Sequence, residues 1–128
     1  MIHDVCIGVG SNIAPRDSIA AAQVIMQQAF SGFRASQLVT TTPIGDSGQD
    51  DYLNGAFCIR TTWTEAQLTA WLKATETRLG RTRTTDRYGP RTIDLDVVVW
   101  DGKIRDDDFY GRDFLRKAVL EMLPNLQY

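Results

Sequence analysis

Residues 92–100 read Thr-Ile-Asp-Leu-Asp-Val-Val-Val-Trp, and this alternation constrains the fold more than any other stretch of the chain. A strand sends successive side chains to opposite faces and sets residues two apart about 6.6 Å from each other along one face. Ile93, Leu95, Val97 and Val99 therefore make one apolar row, and Asp94 and Asp96 share the other face. A slip of one residue would drive both carboxylates into the core, so the pattern fixes the register. Two neighbouring carboxylates repel each other unless a cation stands beside them. Their hard oxygens suit Mg²⁺, which keeps waters and substrate phosphates among its ligands. A solvated strand face is spelled the same way, so the surroundings of the pair have to decide its role.

The other elements follow from the same kind of pattern. Residues 5–9 read as a first strand, broken by Gly10-Ser11-Asn12, and residues 18–30 place Ile19, Ala22, Met26, Ala29 and Phe30 at helical spacing. Residues 33–42 and 52–63 read as a second and third strand around a loop at 43–51. Thr64-Glu65-Ala66-Gln67 spells a capping box, the stripe Leu68, Trp71, Leu72, Thr75 and Leu79 follows at helical period, and Gly80 stands where a left-handed residue ends such a helix. Residues 114–123 form a last apolar-periodic stretch before Pro124. The order β-α-β-β-α-β with a tail predicts an α+β, ferredoxin-like fold: an antiparallel sheet with both helices on one face and the opposite face open to ligands.

A chain of 128 residues, 43% hydrophobic and free of repeats or linkers, is expected to form a single domain over 1–128. Its net charge of −2 provides no basic field for nucleic acid, so small molecules are the expected partners, with no obligate protein partner evident. Cys6 and Cys58 sit in apolar, strand-like runs and read as reduced core thiols. The start carries no secretory pattern and no run reaches membrane-spanning length, which leads us to expect a cytoplasmic protein.

The neighbourhood of Asp94 and Asp96 favours chemistry. Arg81, Arg83, Arg87 and Arg91 fall within the segment that feeds this strand, interleaved with threonines and Gly89. Guanidinium groups bind phosphate oxygens in pairs, so arginines beside a carboxylate-held Mg²⁺ suit a polyphosphate. Tyr52 and Asn54 share one face of the third strand, where a ring and an amide suit a flat heterocycle such as a pterin or purine. The nearby Thr42-Pro43-Ile44-Gly45 segment can offer backbone groups to the same ring. Gly8-Val9-Gly10-Ser11-Asn12-Ile13 lacks the third glycine of a dinucleotide fingerprint and is followed by the wrong element order, which rejects a Rossmann site. His3, the one histidine, lies at the start of the chain, where a surface role is expected and catalysis is not.

Four segments taken together resemble the hydroxymethyl-dihydropterin pyrophosphokinase family: Ile7-Gly8-Val9-Gly10-Ser11-Asn12, Thr42-Pro43-Ile44-Gly45, Asp51-Tyr52-Leu53-Asn54, and Leu79-Gly80-Arg81 through Asp96. The resemblance implies transfer of pyrophosphate from ATP to 6-hydroxymethyl-7,8-dihydropterin. It gives Asp94 and Asp96 the role of holding two Mg²⁺ ions, and it assigns Arg81, Arg83 and Arg91 to ATP phosphates as the catalytic set. Glu76 would lie at the nucleotide site, and Arg112 would be a further phosphate contact. Thr42, Pro43, Ile44, Tyr52 and Asn54 would form the pterin pocket, with Phe114 closing it from the other side. The chain departs from the family at residues 102–111, which are short, acidic at Asp106-Asp107-Asp108 and without the family's phosphate-contacting histidine. It also has Tyr88 where tryptophan is common, and it stops at Tyr128. A shortened, non-catalytic paralogue that binds a pterin or nucleotide is the alternative, and an interaction domain using the open sheet face is a third reading.

Overall fold

A computed structural model describes residues 1–42, 50–80 and 92–128. Its elements are β1 (His3–Ser11), α1 (Pro15–Ala29), β2 (Ser31–Ala35), β3 (Val39–Thr41), β4 (Tyr52–Thr61), α2 (Glu65–Arg78), β5 (Asp94–Trp100), β6 (Lys103–Ile104), α3 (Asp108–Gly111) and α4 (Asp113–Met122). The strands form one six-stranded sheet in the order β2-β4-β1-β5-β6, with β3 also paired to β4, and every pairing is antiparallel. Removing the short β3 and β6 leaves the split βαβ order expected from the sequence.

Local signals act as their chemistry requires. The Thr64 hydroxyl accepts from the Gln67 N–H at 3.2 Å while the Gln67 side chain accepts from the Thr64 N–H at 2.9 Å, which starts α2. Gly80 adopts φ +94° and ends it. Helix α1 begins at Pro15, three residues before the expected start, because proline satisfies the first helical turn without needing an N–H partner.

The expected second strand, 33–42, is two strands. At Ser36 the ladder is half kept: its N–H donates to the Ala56 carbonyl at 2.9 Å, while its hydroxyl accepts from the Ala56 N–H at 2.9 Å. Gly55 makes room for the detour, since a Cβ there would lie 2.7 Å from Leu38 Cδ2.

Val5, Ile7 and Val9 of β1, Phe57 and Ile59 of β4, and Leu95 of β5 bury one sheet face against α1 and α2. Phe30 packs edge-on to Trp63 and Trp71 at 5.0 Å each and closes that core. The opposite face is not open, as the element order had suggested. Helix α4 lays Leu115, Ala118, Val119 and Met122 over Cys6, Ala56 and Cys58, and the two ends of the sheet lie beyond it: one carries Gly10, Asn54 and Asp94, the other the exposed pair Asp4 and Arg60. The periodic stretch before Pro124 is thus a layer of the fold.

Two further expectations change. Val99 belongs to this second core because β5 carries a bulge: Val97 pairs with Ile7 and Val99 with Cys6, which leaves Val98 without a partner on β1 and restarts the alternation. Cys6 and Cys58 lie directly opposite each other with Cα atoms 4.3 Å apart and are joined as a disulfide. His3 is part of β1; its Nδ1 donates to Asp101 at 2.6 Å and its ring packs on Trp100. No helix among the described residues is long and apolar enough to cross a membrane.

Candidate functional site

Strand pairing decides which polar residues meet. Gly10 of β1 lies opposite Asn54 of β4 on one side and opposite Asp94 of β5 on the other. Gly8 lies likewise between Ala56 and Asp96. With strands about 4.8 Å apart, Asn54 and Asp94 stand about 10 Å from each other across a floor that has no side chain. A Cβ at Gly10 would come within 2.7 Å of the Asn54 Oδ1, so glycine there is what lets the amide lie over β1. A Cβ at Gly8 would meet Leu115 Cδ1 at 3.2 Å, which marks where α4 begins to cover the sheet.

On the β4 side the Asn54 amide donates to the Thr41 hydroxyl at 2.6 Å, Tyr52 is half-buried beside it, and Thr42 is exposed just past β3. This wall offers amide, hydroxyl and aromatic groups along one edge. Asn12, buried in the turn after β1, donates to the Asp50 carbonyl at 3.2 Å and ties that turn to the start of β4.

On the β5 side, Asp94 and Asp96 project together as the alternation required, and Glu76 of α2 reaches them. Oxygens of these three carboxylates all lie within 4.8 Å of one another. That is close to the about 4.2 Å between oxygens on opposite sides of one Mg²⁺ ion, so this hard-oxygen donor set fits a divalent cation. Glu76 is fully buried, and its Oε2 accepts from the Leu95 N–H at 2.7 Å along the outer edge of β5. Lys73, one turn earlier, donates to Glu76 at 3.0 Å, to the Leu95 carbonyl at 3.1 Å and to Asp96 at 2.8 Å. Burial works to lower the Lys73 ammonium, but the hydrogen bonds and charges of Asp96 and Glu76 outweigh it and hold the group above the ordinary lysine value.

Nothing in the sequence reading assigned Lys73 a role. The available signal was its i,i+3 spacing to Glu76, which puts both side chains on one helix face.

Around the rim, Asp106 is raised above the usual carboxylate value by burial first and by the charges of Asp108 and Asp96, against the opposing hydrogen bond from the Asp108 N–H and the charge of Arg112. Arg112 pairs with Asp108 at 3.6 Å just before α4. Phe114, in the first turn of α4, is half-buried against the second core, next to the Leu115 that covers Gly8. Arg112 and Phe114 thus belong to the covering layer beside the trough. Pro43, Ile44, Arg81, Arg83 and Arg91 lie outside the described residues. The described residues on either side of the arginine segment meet, because the Thr92 hydroxyl donates to the Gly80 carbonyl at 3.4 Å.

Fold and site together define a ferredoxin-like α+β protein with a carboxylate cluster suited to a divalent cation at the uncovered end of its sheet. Residues 6–124 match the family described as 7,8-dihydro-6-hydroxymethylpterin-pyrophosphokinase (HPPK), and the chain belongs to that family. It is similar to the 2-amino-4-hydroxy-6-hydroxymethyldihydropteridine pyrophosphokinase of Methylorubrum extorquens, 34% identical over 92% of this chain and 77% of the relative. The enzyme of the same name from Pseudomonas aeruginosa is 34% identical over 99% of this chain and 85% of its own length. The mitochondrial folate synthesis bifunctional protein of Pisum sativum is 34% identical over 92% of this chain, which corresponds to 21% of that longer protein.

Proposed function

We propose that the protein transfers the pyrophosphoryl group of ATP to the hydroxymethyl oxygen of 6-hydroxymethyl-7,8-dihydropterin, giving AMP and the pterin pyrophosphate, as a step of folate biosynthesis in the cytoplasm. The observation that carries this reading is the row Asn54, Gly10, Asp94. It sets a wall suited to a flat, hydrogen-bonding ring about 10 Å from a cluster suited to a metal-bound polyphosphate.

In this reading Asn54, steadied by Thr41, and Tyr52 hold the pterin, with Thr42, Pro43 and Ile44 offering backbone groups and Phe114 closing from the α4 side. Their orientation of the ring would aim the hydroxymethyl oxygen across Gly10 toward the carboxylates. Converting this encounter into an intramolecular one supplies much of the rate enhancement. Asp94 and Asp96 hold the metal, with Glu76 behind them, and two Mg²⁺ ions are the number the family resemblance implies. Bound Mg²⁺ supplies neutralisation of the phosphate charge that grows as the bond to AMP breaks. Arg81, Arg83 and Arg91 contact the phosphates, as the family resemblance implies, and Arg112 adds a further contact from the rim. The attacking oxygen displaces AMP from the β-phosphorus, and the proton of the hydroxymethyl group leaves to solvent. Residues 1–128 act as one domain in this account.

The test is AMP formation from ATP and Mg²⁺ with and without the pterin, followed by chromatography. AMP that depends on the pterin is the expected result. Tight pterin or ATP binding without any AMP would replace this reading with a binding protein.

A further inference from the structure

All three N–H donors of Lys73 are engaged, and all three acceptors are hard oxygens: Asp96 Oδ1 at 2.8 Å, Glu76 Oε2 at 3.0 Å and the Leu95 carbonyl at 3.1 Å. Two of these acceptors belong to the carboxylate cluster whose oxygens converge within 4.8 Å. The ammonium therefore occupies the kind of surroundings that a divalent cation would need. Its side chain is about one-third exposed, so a path out toward solvent exists without moving the backbone. Glu76, by contrast, is fully buried and held by the Leu95 N–H as well, so it stays in place when the ammonium leaves.

We infer that Lys73 is a built-in counter-ion for the cluster, which the entering divalent cation displaces from Asp96 and which then turns to the phosphate that arrives with the metal. This rests on the cation role proposed above for Asp94 and Asp96. A lysine suits the task better than an arginine. It is a compact charge on a flexible stem, and it can exchange a carboxylate for a phosphate oxygen by rotation alone. The device has two effects. The carboxylates stay together and compensated when no metal is present, and a bare cation binds weakly because it has to evict a positive charge. A cation accompanied by a polyphosphate binds well, because the evicted ammonium gains a new anionic partner.

The experiment measures Mn²⁺ binding to the free protein by electron paramagnetic resonance, without nucleotide, in wild type, Lys73→Gln and Asp96→Asn. Glutamine keeps a donor toward Glu76 and removes the charge. Binding to Lys73→Gln is expected to be tighter than to wild type on the order of tenfold, as one adjacent like charge is removed. ATP affinity measured without metal is expected to be unchanged, and the KM for Mg-ATP is expected to rise. Equal or weaker Mn²⁺ binding by a Lys73→Gln protein that melts cooperatively overturns the inference.

A second readout does not depend on the variant folding. In wild type, the rate at which an amine reagent labels Lys73, read by mass spectrometry, should rise when Mg²⁺ is added. A rate that stays level with Mg²⁺ bound also overturns the inference. Pterin-dependent AMP formation with unchanged Mn²⁺ affinity in Lys73→Gln would remove this inference alone. Failure of every protein, wild type included, to bind Mn²⁺ would remove the cation reading beneath it.

Discussion

The two faces of the sheet are made by alternate residues of the same strands, yet they are finished differently. Under α1 and α2 the face is apolar from end to end, from Leu53 and Val9 at one end to Val5 and Ile59 at the other. On the α4 side the same strands are apolar only as far as Ala56 and Val98. Level with Gly8 stands Asp96, and beyond it the residues are Gly10, Asn54 and Asp94. The fully covered face holds the strands in register, and that rigidity is what allows the other face to leave its carboxylate end uncovered and to hold those carboxylates close together.

The largest effect should come from the uncovered end. Asp96→Ala, and equally Asp94→Ala, is expected to lower kcat on the order of a thousandfold while thermal unfolding stays within a few degrees of wild type, because a metal ligand contributes several kcal/mol to the transition state and little to the core. Retained turnover in either protein would end the metal assignment. On the fully covered face, Phe57→Ala should cost about 3–5 kcal/mol in urea unfolding, since Phe57 is completely buried and sits at the centre of that core. Leu115→Ala on the half-covered face should cost about 2–3 kcal/mol, because Leu115 lies at the margin of the α4 layer. If Leu115→Ala proved the more damaging of the two, the distinction between the faces would collapse.

Between the two halves of the α4 face, Gly10→Ala sharpens the boundary. The new methyl must push the Asn54 amide off β1, so pterin KM should rise roughly tenfold while stability changes by less than about 1 kcal/mol. The smallest effect belongs to the far edge. His3 holds the exposed Asp101 carboxylate below the ordinary 3.8 through a hydrogen bond, with help from the Asp4 N–H and from the charge of His3 and Lys103. A lowered carboxylate contributes its stability above pH 3.8 and loses it as pH falls through the lowered value. The difference in Tm between wild type and Asp101→Asn should therefore be small at pH 6 and close as the solution is taken below pH 3.8.

The parts of this arrangement that local chemistry dictates were legible in the sequence. Alternation placed Asp94 and Asp96 on one face, the capping box began α2, and Gly80 ended it. Tyr52 and Asn54 were likewise assigned to one face of their strand. What could not be read depended on pairing at a distance. The bulge at Val98 arises from how β5 meets β1, so period-two counting assigned Val99 to the wrong face. The partnership of Cys6 with Cys58 needs the β1–β4 register, and the role of α4 as a lid needs its docking on that same face. Lys73 escaped notice because a lysine on a helix surface is ordinarily solvated; only the docking of α2 along the edge of β5 at Leu95 turns it into a bridge between two carboxylates. The Asp101-Gly102 turn is the exception, since that dipeptide is a strong local hairpin signal and marks β6 directly.

The unpartnered Val98 has a consequence for how this chain tolerates change in length. A deletion inside a regular strand reverses every side chain beyond it, but the residue at the bulge is already outside the β1 ladder. Losing it would restore plain alternation, with Val97, Val99 and Trp100 keeping the faces they have now. The carboxylate end of β5 and its hairpin end are therefore phased independently, and the turn and short segments that follow can shorten or drift without rotating Asp94 and Asp96 out of position.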